Sequence, residues 1–316
     1  MNAPFAPLLF ADPCFLEHRT GEHPESPERL RYLYQYLAGR PVRKRFENGA
    51  VQPAERAQLE RVHDPAYIDR VREFAKRGGG RIEADTTVSR KSYEVAVKTA
   101  GSAVAAVDAV LTGKAPRALC LTRPPGHHAL FDDAMGFCLF NNVAVAARHA
   151  TAQHKLERVL IVDWDVHHGN GTQDLFYEAE DVWFFSVHRY PFYPGTGAAH
   201  ETGTGRGLGT KFNLPLPFGT TRQAYREKFQ AMLEQAAEKC RPQLVLISAG
   251  FDAHAADPIG SLGLETQDFE SLTHMVADVA DQHCGGKIVS LLEGGYNVEK
   301  LAECVECHME SLLPRS

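Results

Sequence analysis

Five short runs of nearly unbroken apolar residues constrain the fold of this chain more than any other feature. They lie at 118–122, 159–162, 182–187, 244–248 and 288–292. Strands that present apolar side chains to both sides must be covered on both faces, as in parallel sheets. Helix-length patterns separate or follow them at 92–111, 141–152, 221–239, 266–283 and 298–312. The first is rich in Ala and Val and stops before Gly113, a residue suited to the left-handed position after a helix. Ser26, Pro27 and Glu28 read as a cap, a first-turn proline and an early acid, opening a helix that runs to 37. The alternation predicts an α/β fold with three αβα layers around a mostly parallel central sheet. No linker-like stretch or internal repeat divides the 316 residues, so one domain over 1–316 is expected.

Charge and cysteine content narrow the function. The net charge is −6, and the one basic group, Arg40, Arg43, Lys44 and Arg45, is too short for a nucleic-acid stripe. It reads as a solvated face. No apolar run reaches the roughly 18 residues of a membrane span. Residues 1–7 lack the basic-then-apolar pattern of a secretory signal. Seven cysteines, an odd and scattered set, fit reduced thiols in the cytoplasm better than a disulfide framework.

Ligands of parallel sheets gather beyond the carboxyl ends of the strands. Here those ends are followed by Arg123-Pro124-Pro125-Gly126-His127-His128, by Asp163-Trp164-Asp165-Val166-His167-His168-Gly169-Asn170-Gly171, by Ala249-Gly250-Phe251-Asp252, and by Glu293-Gly294-Gly295-Tyr296. If the strand continues, Asp163, Asp165 and His167 share a face. Asp165 and His167 with Asp252 would supply two carboxylates and one imidazole, leaving a position open for water or substrate, the layout of a catalytic zinc site. Beside a metal, one of the paired histidines is a natural general base, because imidazole titrates near neutrality. Tyr296 follows two glycines that permit a tight turn and could aim its phenol into the cleft. Taken singly, each has a plainer reading: a satisfied polar residue at a strand end, a turn pair, a core aromatic. Four polar strand ends together favour chemistry.

These segments resemble the histone deacetylase superfamily, in its bacterial class II-like branch. The resemblance also takes in His18-x4-His23-Pro24-Glu25-Ser26-Pro27-Glu28-Arg29 and Gly136-Phe137-Cys138-Leu139-Phe140-Asn141-Asn142, so it spans nearly the whole chain. It implies the arginase-deacetylase fold and hydrolysis of an acyl-amide, with one zinc per chain held by Asp165, His167 and Asp252. It makes His128 the general base and His127 its electrostatic partner, with Asn170 and Asp163 orienting them. Tyr296 becomes the carbonyl-polarising phenol. Gly136, Phe137 and Tyr193 line the acyl channel. A structural potassium ion is implied near Asp163, Asp165, His167, Ser186 and Val187. A carboxylate stabilises imidazolium more than an amide does, so His127 is expected to be the more basic ring.

The substrate is expected to be an acylated lysine or a similar small acetylated amine. Acetylpolyamine-specific members carry an acidic gatekeeper where this chain has Ile259, in Asp257-Pro258-Ile259-Gly260, which favours acyl-lysine. Acetylpolyamine hydrolysis stays open as an alternative, as does a silent acyl-lysine-binding protein. A two-metal ureohydrolase would need a second carboxylate set in place of the histidine pair. The sequence sets neither the acyl chain nor the oligomeric state. Cys304-Val305-Glu306-Cys307-His308 spells a haem-attachment pattern, but it lies in a helical stretch and no haem is expected. Gly203 to Gly209 lacks the Lys-Ser/Thr ending of a phosphate loop and precedes a strand pattern, so it reads as a flexible rim loop.

Overall fold

The computed structural model describes residues 6–314; Met1–Phe5 of the N-terminal segment and Arg315–Ser316 lie outside it. Among the described residues ten strands form, β1 Leu8–Phe10, β2 Glu47–Asn48, β3 Gly79–Arg81, β4 Thr87–Ser89, β5 Arg117–Cys120, β6 Val159–Asp163, β7 Val182–Arg189, β8 Lys211–Leu216, β9 Leu244–Ala249 and β10 Ile288–Leu292. The helices are α1 Pro27–Ala38, α2 Arg56–Leu59, α3 Pro65–Lys76, α4 Ser92–Leu111, α5 Asn142–Gln153, α6 Asn170–Leu175, α7 Arg222–Cys240, α8 Thr266–Cys284 and α9 Val298–Ser311. Eight strands make one sheet in the order β2-β1-β5-β10-β9-β6-β7-β8. Its neighbours pair in parallel. β3 and β4 form a separate antiparallel pair.

The double-sided apolar runs find the cover that they require. Leu160, Val162, Val245 and Ile247 pack into one core with α1, α7, α8 and α9. Val159, Ile161, Leu244 and Leu246, the alternating residues, pack into a second with α3, α4 and α5. The three layers expected from the sequence are thus present. α4 ends as its glycine requires: Gly113 lies at φ +73, and Lys114 and Gly113 donate to the carbonyls of Ala109 and Val110. At the start of α1, Ser26 occupies the cap position, but its side chain makes no cap hydrogen bond, so the expected cap is one of backbone geometry and Pro27 alone.

The short strands β1 and β2, the β3–β4 pair and α2, α3 and α6 escape sequence reading, because two to six residues carry too little periodicity and α3 lacks a strong apolar run. The Gly203–Gly209 segment is not a loop on the catalytic rim. It docks on the turn after α6, with Thr204 donating to the carbonyl of Tyr177 at 3.0 Å, and leads into the amino end of β8, away from the carboxyl ends. His308 sits in the core of α9, bonded to Thr273 and Ser290 through its two ring nitrogens. No described helix is long and apolar enough to cross a membrane.

Candidate active site

The sheet order brings distant segments to one edge. β5, β10, β9 and β6 are neighbours, and their last residues are in register: Leu291 beside Cys120, Leu292 beside Ala249, and Asp163 beside Ser248. The four polar segments that follow therefore emerge side by side.

β6 ends at Asp163, so Asp165 and His167 lie in the following loop rather than on the strand face that alternation suggested. Hydrogen bonds in the loop aim them instead. Asp163 Oδ1 accepts from the Asp165 amide at 3.1 Å, and Asp165 Oδ1 accepts from the His167 amide at 2.9 Å. Asp165 Oδ2 takes the Gly294 amide at 2.8 Å, and Asp252 Oδ1 takes the Val166 amide at 2.8 Å. The result is three converging donor atoms. His167 Nδ1 stands 3.0 Å from Asp165 Oδ1 and 3.2 Å from Asp252 Oδ2. Zinc bonds of about 2.0–2.1 Å in a tetrahedron space their ligands by roughly 3.3 Å. Asp252 Oδ2 is buried and has no hydrogen-bond partner.

The electrostatics ask for a cation. Burial opposes ionisation of Asp165, but the imidazoles of His127 and His167 outweigh it and hold its pKa down. Burial and the charge of Asp165 push Asp252 the other way. Two carboxylates sharing a dry site repel, and a divalent ion between them relieves that repulsion. The donor set of two carboxylates and one imidazole suits zinc. Glycine is needed close by: a Cβ on Gly294 would overlap Oδ2 of both aspartates.

The histidine pair stands beside this trio, with ring centroids 4.0 Å apart. His127 Nδ1 donates to Asp163 Oδ2 at 3.0 Å, and His128 Nδ1 donates to Asn170 Oδ1 at 2.7 Å. Burial disfavours a charged His127, yet Asp163 and Asp165 outweigh it and raise its pKa to about 10. Burial holds His128 well below the usual imidazole range, helped by the charges of His127 and His167. The carboxylate-bonded ring is thus the more basic, in the direction that the sequence implied.

The walls follow. Phe137 meets Tyr296 edge-on at 5.8 Å, and Tyr193 meets His128 edge-on at 5.3 Å. Gly136 and Phe137 both have positive φ, 56° and 71°, a strained state for a bulky residue. Asp85 and Thr86 hold them there, accepting the Gly136 and Phe137 amides at 3.1 Å each. A Cβ on Gly136 would strike His128. Ile259 is exposed beside Asp257, whose Oδ1 takes the Ile259 and Gly260 amides while Oδ2 takes the Tyr296 amide at 2.7 Å. Ser186 lies beside Asp163 in register on β7, and Val187 is buried next to it.

Sequence reading missed several contributors. Glu293 is buried and accepts the amides of Gly126 at 2.7 Å and His127 at 3.2 Å. Burial raises its pKa to about 7. Arg29 donates to the carbonyls of Gly295 and Glu293 and lies over the Tyr296 ring at 4.9 Å. Buried Glu25 binds Arg29 and Arg123. Phe192 stacks on His167 at 5.3 Å. Glu25 and Arg29 stood in a recognised segment without a role. Asp85, Thr86 and Phe192 are loop residues for which spacing offers no signal.

Comparison with known proteins gives the family and the fold. Residues 23–312 fit the histone deacetylase domain. The chain is similar to the histone deacetylase-like amidohydrolase of Pseudomonas aeruginosa, 43% identical over 291 residues, which cover 92% of this chain and 77% of that one. It is 39% identical to the human polyamine deacetylase HDAC10 over 319 residues, 97% of this chain and 46% of the human protein. The crystal structure of the HDA15 HD domain superposes with a TM-score of 0.92 at 36% identity, over 98% of this chain and 88% of that one. On this likeness in sequence and in fold, the chain belongs to the histone deacetylase family.

Proposed function

We propose that the protein is a zinc-dependent deacetylase, one catalytic domain over the whole chain, which removes an acyl group, most simply acetyl, from the ε-amine of lysine or a similar amine. The observation that carries this reading is the convergence of Asp165, His167 and Asp252, with Asp252 Oδ2 buried and without a hydrogen bond, beside a histidine pair bonded to Asp163 and Asn170. A bound zinc ion supplies Lewis-acid polarisation of the substrate carbonyl and of water.

The side chains do the rest. Donation from His128 Nδ1 to Asn170 leaves Nε2 as the free acceptor, so this neutral ring takes the proton of the attacking water. His127 stays protonated against Asp163, and either ring can then protonate the leaving amine. Burial raises the Tyr296 pKa, which keeps the phenol protonated and able to donate to the developing oxyanion. Phe137 and Tyr193 form apolar walls for the acyl-bearing chain, with Gly136 allowing close approach. Asp163, Asp165, His167, Ser186 and Val187 are the proposed surroundings of a structural potassium ion. Seven unpaired cysteines suit a cytoplasmic setting.

A second substrate reading is acetylpolyamine hydrolysis, favoured by the likeness to the human polyamine deacetylase and opposed by uncharged Ile259. Comparing kcat/KM on an acetyl-lysine peptide and on acetylputrescine decides between them. We expect the peptide to be the better substrate. Preference for acetylputrescine would transfer the assignment to polyamines, and no turnover of either by zinc-loaded protein would refute the enzymatic reading.

A further inference from the structure

At the opposite end of α5 from the candidate active site lies a second cluster of metal-ligand side chains. Asp108, in the last turn of α4, receives both His149 Nε2 at 2.7 Å and His154 Nε2 at 2.6 Å on one oxygen, Oδ1. His149 lies one turn before the carboxyl end of α5, and His154 caps it. The two rings stand edge to face with centroids 5.6 Å apart. Among the described residues, this trio and the Asp165 trio are the groups of three such side chains whose donor atoms all lie within 4.8 Å of one another.

We propose that Asp108, His149 and His154 bind a divalent first-row transition cation, zinc or a near neighbour, that ties α4 to α5. Two imidazoles with one carboxylate select Zn, Ni, Co or Cu over the hard Mg and Ca ions. The backbone supplies a second, independent argument. The carboxyl ends of α4 and α5 meet here, and each carries partial negative charge that favours a cation. Capture needs small movements only: donors around an ion at about 2.0–2.1 Å are roughly 3 Å apart, and Asp108, with a side chain 48% exposed, is free to swing by that amount. The exposed carboxylate side leaves coordination positions open to water.

One feature of His149 limits the strength of the site. His149 Nδ1 is buried with no partner. Without an ion, the neutral ring keeps its proton on Nε2, donated to Asp108. Binding an ion through Nε2 moves that proton to Nδ1, where nothing accepts it. A ligand imidazole lacking such an acceptor loses about 10–100-fold in affinity. α5 begins at Asn142, beside the His127 loop, and its 12 residues span about 18 Å, so the two sites fill independently.

Equilibrium dialysis of the whole protein against zinc chloride at about 100 µM, followed by metal analysis, tests this. The expected result is two zinc ions per chain in wild type and one in His154→Ala, with deacetylation by that variant unchanged. Asp252→Ala should also hold one ion, the other one, and His154→Ala combined with Asp252→Ala none. Zinc should raise the Tm of Asp252→Ala but not that of the double variant. Zinc retained by His154→Ala and by Asp108→Ala at the wild-type level, or no zinc held by Asp252→Ala, would overturn the assignment. Because Asp252→Ala removes only the catalytic ion, failure here is distinguishable from failure of the proposed function.

Discussion

Tyr296 carries one phenol, and its worth can be read by removing one oxygen. Its ring is fixed from three sides, by Phe137, by Arg29 and through its amide by Asp257. Tyr296→Phe should therefore leave the ring in place and lower kcat by roughly 10²–10³, the usual cost of one oxyanion donor. KM should change little, and an unchanged kcat would remove the phenol from the mechanism. Gly294 is a steric requirement of the metal trio, because a Cβ there meets both aspartates. Gly294→Ala should weaken zinc binding by at least about tenfold, a loss of the size seen when ligand surroundings are disturbed. Metal analysis after dialysis checks it, and a full zinc equivalent retained would show that the aspartates can move aside. The legible residues are those whose chemistry is rare in a strand-end context: tandem histidines, Asp-x-His, Gly-Gly-Tyr. The roles of Glu293, Asp257 and Asp85 were not legible, since an acid beside glycine or proline, or between Ala84 and Thr86, looks like any turn residue until its amide partners are known.

At the scale of elements, α5 is anchored by an imidazole. His63 Nδ1 donates to the carbonyl of Leu130 at 2.8 Å, and Nε2 accepts the amide of Asn141, the α5 cap residue, at 2.9 Å. The second bond requires the neutral ring, and burial lowers its pKa from the usual 6.5 to about 4. The unfolded chain therefore binds a proton between pH 6.5 and 4 that the folded chain refuses. Stability is fully present above pH 6.5 and falls with pH through that window, by about 3 kcal/mol at its lower end. Urea unfolding of wild type and His63→Gln from pH 7 to pH 4 should show a shallower decline in the variant. Equal slopes would mean that His63 protonates without cost. The boundaries of α4, α7 and α8 were legible to within a residue or two, because long amphipathic or Ala-rich stretches carry many repeats of one period. The Asp165–His167 loop was misread as strand, because two-residue spacing does not reveal where hydrogen bonding to the neighbouring strand stops.

For the molecule as a whole, the trio joins segments from two strands to the Gly294 loop of a third, so an ion there crosslinks the sheet edge. Chelation should lower stability by about 2.7 kcal/mol relative to protein held at 100 times the zinc Kd. Denaturant unfolding with and without chelator measures this, and Asp252→Asn should lose most of the response. A wild-type chain indifferent to chelation would argue that the ion is not part of the folded framework. The residue types on their own determined that this chain builds a covered parallel sheet and delivers Asp, His and Tyr past its strand ends, because side-chain polarity and period are local properties. Only the tertiary structure decided the order β5-β10-β9-β6, which makes neighbours of Tyr296, Asp252 and Asp165 across more than a hundred residues. Strand order depends on which faces and edges pack together, a free energy shared among all the layers and written in no single segment.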